Sequence, residues 1–167
     1  MVSKGDDLFH RAAMCWNEKQ PLEAGRLIFE NLPTEVRPSW AASVLRLVLA
    51  RSGIHFPVLE QVLHTADHED MWKNGHRVFS TLRAAVMNID EVERARDLTD
   101  DQKLLRSILS LAELVAKVTY NATHPPDEFD EDSGWWIAAC LRGFVDHRWK
   151  DKEFSNAAWS TLCCQGT

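Results

Sequence analysis

Glycine and proline are scarce in this chain. Seven glycines and six prolines in 167 residues amount to about 8% of the length, against a usual share of roughly 12%. Turn-makers are too few for a fold of many short strands, so the length must be spent in long elements. No alternating run bounded by hairpin turns is found either, which removes the ordinary signature of a sheet. Long apolar runs are also missing: the richest, Trp40 to Ala50, is interrupted by Arg46 and falls short of the ~18 residues that cross a bilayer. Met1 to Asp7 holds one lysine and two acids with no apolar core of about 7 to 15 residues behind it, so no secretory signal is read. The expectation is a cytoplasmic protein without membrane contact. There Cys15, Cys140, Cys163 and Cys164 stay thiols. Their spacing is not that of a zinc site, and Cys15 and Cys140 read as packing residues on apolar helix faces.

Positive charge is in deficit. Nineteen Lys and Arg stand against 25 Asp and Glu, a formal charge of −6, which argues against duplex nucleic acid as a partner because phosphate neutralisation needs clustered cations. The imbalance is local. Residues 1 to 83 carry ten basic and ten acidic side chains, while residues 84 to 167 carry nine and fifteen. Five of those acids, Asp127, Glu128, Asp130, Glu131 and Asp132, form one run broken only by Phe129. Reaction signatures are lacking as well: there is no GxSxG on a strand and no GxxxxGK[ST]. The sequence calls for no cofactor and, more readily than an enzyme, for a non-catalytic protein.

What is present is helical periodicity. The fold class expected is all-α, a single domain over residues 1–167 built as a bundle of seven to eight helices with short loops. A first helix, Asp7 to Lys19, turns Leu8, Phe9, Ala12, Cys15 and Trp16 inward. A second opens at Pro21 and closes before Pro33, and the hairpin so formed is not repeated at a period near 34 residues. Ser39 reads as the N-cap of a helix from Trp40 to Arg51 that is apolar on nearly all sides and is stopped by Gly53. Pro57 opens the next, after which Asp67 reads as the cap of a helix striped with Met71, Gly75, Val78, Leu82, Ala85 and Ile89. The pattern leaves open whether that helix continues through Asp90 to Asp97.

Thr99 and Gln102 make a capping box and begin the clearest element, a long central helix near residues 100–123. Lys103, Arg106, Ser110, Glu113 and Lys117 form its polar stripe, and Leu105, Ile108, Leu109, Leu111, Val115 and Val118 cover the remainder. At ~1.5 Å per residue it is roughly 30 Å long. An acidic, proline-rich loop, 124–132, leads to a helix capped by Ser133 and carrying Trp135, Trp136, Ala139, Cys140, Gly143 and Phe144, in which Ala139 and Gly143 would admit a close neighbour. A last helix runs from Asp151 to Cys164.

Three groups of residues could carry function. Asp127, Glu128, Phe129, Asp130, Glu131 and Asp132, followed by Trp135 and Trp136, read as a partner-binding region: carboxylates to steer a basic protein surface, and Phe129 with an indole as apolar anchors. Either tryptophan, or Trp149, could instead serve a wide core. His64, Asp67, His68 and Asp70 are weaker candidates for metal ligands, since histidines four apart on one helix can share an ion, yet Asp67 as a cap would place them on different helices. The stretch Asp146 to Lys152 mixes cations with Trp149, a thin signal for single-stranded nucleic acid. The primary reading is a protein-binding module, in its sharpest form a small acidic inhibitor or immunity-type protein. The alternatives are a helical-bundle metal- or ligand-binding enzyme or sensor using the histidine cluster, and a scaffold subunit of a larger assembly.

Overall fold

The computed structural model describes residues 3–123 and 132–163. Among them are eight α-helices and no strand: α1 Lys4–Asn17, α2 Pro21–Glu30, α3 Arg37–Ser52, α4 Pro57–Asp67, α5 Gly75–Ala95, α6 Asp100–Asn121, α7 Ser133–His147 and α8 Lys152–Cys163. Two 3-10 segments, Thr34–Val36 and Glu69–Asn74, lead into α3 and α5. The chain is all-α, as its periodicity requires, and every helix sends side chains into one continuous hydrophobic core.

The centre is α6, which touches α3, α4, α5 and α7. It starts where the capping box predicts. The Thr99 hydroxyl accepts from the Gln102 backbone N–H at 3.2 Å while the Gln102 side chain accepts from the Thr99 N–H at 2.9 Å, so two of the first-turn donors are satisfied at once. Ile108, Leu109, Leu111, Ala112 and Val115 are essentially without exposure. The polar stripe is not wholly solvated. Lys103 and Arg106 are exposed, but Glu113 is buried, because α5 packs along that side of α6. Lys117 Nζ lies 5.1 Å from the centre of the Phe79 ring.

α3 is the second buried strut, with Trp40, Ala41, Ala42, Val44, Leu45 and Val48 inside. Trp40 Nε1 donates to the Leu162 carbonyl at 3.0 Å, which fastens α3 to α8. Gly53 stops the helix as expected, in the left-handed region at φ 68°, where a residue without Cβ is unstrained. The N-cap assignment fails: α3 begins at Arg37, and the Ser39 hydroxyl donates to the Val36 carbonyl at 2.9 Å. Pro38 fits the first turn because no intrahelical N–H is needed there.

Other boundaries also shift. Asp67 is the last residue of α4 rather than the cap of the next helix, and α5 runs unbroken to Ala95. α7 has Asp132, not Ser133, at its N-cap position, and Ser133 is buried inside the first turn. α8 takes its cap from Asp151, whose Oδ1 accepts from the Phe154 N–H at 2.8 Å. Phe9, placed inward by the periodicity, is 40% exposed, since α1 presents only Ala12 and Trp16 fully to the core.

The close helix approach forms at different small residues from those expected. A Cβ on Gly25 of α2 would stand 2.6 Å from the Trp135 carbonyl oxygen and 2.9 Å from Ala138 Cβ, and one on Gly134 would stand 2.3 Å from the Phe29 ring. At Gly143 a Cβ would meet nothing within 4 Å. α2 and α7 therefore meet through Gly25, Gly134 and Ala138. The indole of Trp149 stacks on Phe144 at 5.1 Å and 12° and meets Phe154 edge-on, so it is a packing residue.

Candidate functional site

The corner where α2, the Thr34–Val36 turn, the end of α6 and the start of α7 converge encloses a pocket of about 280 Å³. The α2–α7 contact builds its wall. Because Gly134 has no side chain, the Phe29 ring lies against the first turn of α7, with Trp40 behind it at 5.7 Å between ring centres. Arg37 places its guanidinium over the Phe29 ring, 4.4 Å from the centroid, and its Nε donates to the Leu32 carbonyl at 3.2 Å. Such stacking and capping hold the cation in a fixed pose. Val118, Asn121 and Ala122 from α6 and Ser133 and Trp135 from α7 complete the lining, with Glu30 and Thr34 opposite.

The electrostatics of this corner are unbalanced. Burial lowers the Arg37 pKa from its ordinary value, opposed by the attraction of Glu30, while Glu30 itself pairs with Arg26 at 3.0 Å. Among the described residues no carboxylate pairs directly with this half-buried cation, so no ion pair there offsets its desolvation. The side-chain oxygen Oδ1 of Asn121 is likewise buried and has no hydrogen-bond partner among the described residues, an arrangement native proteins seldom tolerate.

Of the predicted partner-binding residues, Asp127, Glu128, Phe129, Asp130 and Glu131 lie outside the described residues. The three that follow are brought together. Trp135 is half-buried and lines the pocket. Trp136, one position on and about 100° round the helix, is 47% exposed. Its Nε1 donates to Asp132 Oδ2 at 3.2 Å, which ties the exposed indole to the last acid of the run. Arg37 and Asn121 were missed, and no local signal could have singled them out.

The histidine cluster is only partly assembled. His64 and His68 lie 4.3 Å apart between ring centres, because α4 extends to Asp67 and leaves His68 at its C-cap. His68 Nδ1 is 2.8 Å from the His64 carbonyl oxygen. Asp67 turns away and pairs with Arg46 of α3. Asp70 sits exposed in the 3-10 segment. Among the described residues no group of three or more His, Cys, Asp or Glu stands close enough to hold a metal ion, so the four-residue set does not converge.

A broader groove between α6 and α7, about 630 Å³, is lined by Ser107, Ser110, Cys140, Gly143, His147 and Arg148 among others. The Cys140 thiol there is pushed up to about 11 by burial, and a thiol so protonated at neutral pH is a poor nucleophile. Cys15 and Cys140 are free thiols, and Cys164 lies outside the described residues. Among the described residues no helix is long and apolar enough to cross a membrane. No protein-family model, no curated protein and no solved structure matches this chain.

Proposed function

We propose that this chain is a non-catalytic protein-binding module that engages a partner with a basic surface through the amino-terminal corner of α7. The observation that carries the reading is Trp136: a large indole, half exposed and oriented by its hydrogen bond to Asp132. Tryptophan is the residue type in which interface energy most often concentrates, and an indole already held in one pose loses little freedom when a partner covers it. The acidic run ending at Asp132 supplies complementary charge for long-range steering. An inhibitor or immunity-type role is the sharpest form of this reading, since the whole excess of negative charge lies in the half of the chain that holds this corner. A scaffold role would use the same surface in a permanent contact.

The test places a photo-crosslinking aromatic at position 136 in the source cell, identifies the captured protein, and measures its affinity for purified wild type and Trp136→Ala. The reading expects a loss of about tenfold or more, a magnitude ordinary for a central aromatic anchor, with the melting temperature unchanged. Equal affinities for the two chains would refute it.

A further inference from the structure

The geometry points to a second site, independent of the corner of α7: His64 and His68 alone, without the two aspartates, form an open bidentate site for a late divalent transition metal of the zinc type. Their ring centres lie 4.3 Å apart, and two metal–nitrogen bonds of about 2.0–2.1 Å each can bridge donor atoms up to about 4 Å apart. The two imidazoles are thus close enough to share one ion. His68 is also prepared for the task. It stands at the C-cap of α4 with extended backbone, and its Nδ1 comes back to within 2.8 Å of the His64 carbonyl oxygen. A carbonyl only accepts, so Nδ1 donates and the lone pair is left on Nε2. A ligating histidine usually has its other nitrogen engaged in this way, which fixes both tautomer and ring orientation. Here the acceptor belongs to the other ligand residue, so one hydrogen bond sets His68 against His64.

The surroundings select the class of ion. Both histidines are exposed, so the remaining coordination positions are open to water, and His64 can turn its ring about a soft torsion to complete the chelate. Asp67 stays out of the set because it pairs with Arg46 of α3, and that pairing keeps the arginine charge compensated. Two imidazoles with water suit zinc or copper, whereas magnesium and calcium call for oxygen ligands. His64 also lines a groove of about 470 Å³ together with Glu60, Met71 and Arg77, so an ion held by the pair lies at the edge of that groove.

The experiment titrates the isotope-labelled, untagged full chain, stripped of metal by a chelator, with zinc chloride and in parallel with magnesium chloride. Zinc should shift the imidazole nitrogen signals of His64 and His68 first, with half-saturation at about 0.1 mM or below. The change at His68 should fall on Nε2 while the Nδ1 proton is retained. Magnesium at the same concentrations should leave both rings unmoved. His64→Asn and His68→Asn each remove one ligand from an exposed position and should weaken zinc by about tenfold or more, with metal-free melting temperatures close to wild type. His10→Asn, at an exposed histidine of α1, should leave the zinc affinity unchanged. Zinc should also raise the melting temperature of wild type more than that of either site variant, since an ion that binds the folded pair adds to its stability. A wild-type chain whose His64 and His68 signals ignore about 1 mM zinc overturns the proposal, as does an affinity that survives either site substitution. Shifts no larger at this pair than at His10, His55 and His147 also overturn it, because they mark ordinary surface imidazoles.

Discussion

Glu113 of α6 faces Arg83 of α5 at 3.6 Å, yet its Oε1 is buried without a hydrogen-bond partner among the described residues. Burial raises the Glu113 pKa, with Arg83 and Lys117 opposing and Asp90 adding to the rise. A carboxyl whose folded pKa is raised favours folding while both states are protonated, below the ordinary carboxylate range. That advantage is lost as pH rises toward the folded pKa, because the unfolded chain ionises first. Glu113→Gln should therefore gain on wild type between pH 4 and pH 7, by about 1 kcal/mol at most, measured by urea unfolding at both pH values. A difference that stays flat with pH would mean that the carboxyl ionises in the fold as it does in water.

The glycines of α2 and α7 should respond in opposite directions. Gly25→Ala drives a methyl against the Trp135 backbone carbonyl, at 2.6 Å, and neither helix can yield without moving the other. A loss of about 1–3 kcal/mol is expected, as for other overpacked contacts. Gly143→Ala adds a methyl in open space in the body of a helix and should stabilise by about 0.5–1 kcal/mol through helix propensity alone. Thermal melts of the two variants check both signs.

The central helix offers a sharper contrast. Ile108 has no exposed surface, so Ile108→Asp buries a charge without a partner and should cost about 4 kcal/mol or more, enough to prevent folding. Lys103 is exposed on the same helix, and Lys103→Ala should stay within about 0.5 kcal/mol. Circular dichroism and denaturant midpoints distinguish the outcomes.

What the residues disclose in advance divides along one line, the range of the interaction. The Thr99–Gln102 box, the stop at Gly53 and the apolar face of α6 are decided within a few residues, and each is legible as a local pattern. Ser39 and Ser133 look like caps by the same local rules, but the 3-10 turn before α3 and the Asp132 position before α7 begin those helices earlier. Glu113 is polar, so polarity alone places it outside; only the packing of α5 puts it inside. Likewise the spacing of Ala139 and Gly143 is suited to close approach, but the shape of α2 decides which glycines are used. Trp135 and Trp136 stand out by type. Arg37 and Asn121, 84 residues apart in sequence, line one pocket only because α3 and α6 pack together.

The partner-binding reading makes a kinetic prediction that separates steering from anchoring. Replacing Asp127, Glu128, Asp130 and Glu131 with Asn or Gln should slow association of the identified partner, because charges at an interface guide encounter more than they hold the finished complex. The difference from wild type should shrink as added salt shortens the screening length from about 8 Å under physiological conditions to about 3 Å at 1 M. Trp136→Ala should act on the other rate. The indole is half exposed and tied to Asp132, so its loss costs the complex an apolar anchor and should raise dissociation with little dependence on salt. Phe129→Ala should follow the same pattern if it works as a second anchor. Surface-bound kinetics at low and high salt resolve the two behaviours, and a partner indifferent to all six substitutions would remove the corner of α7 from any role in binding.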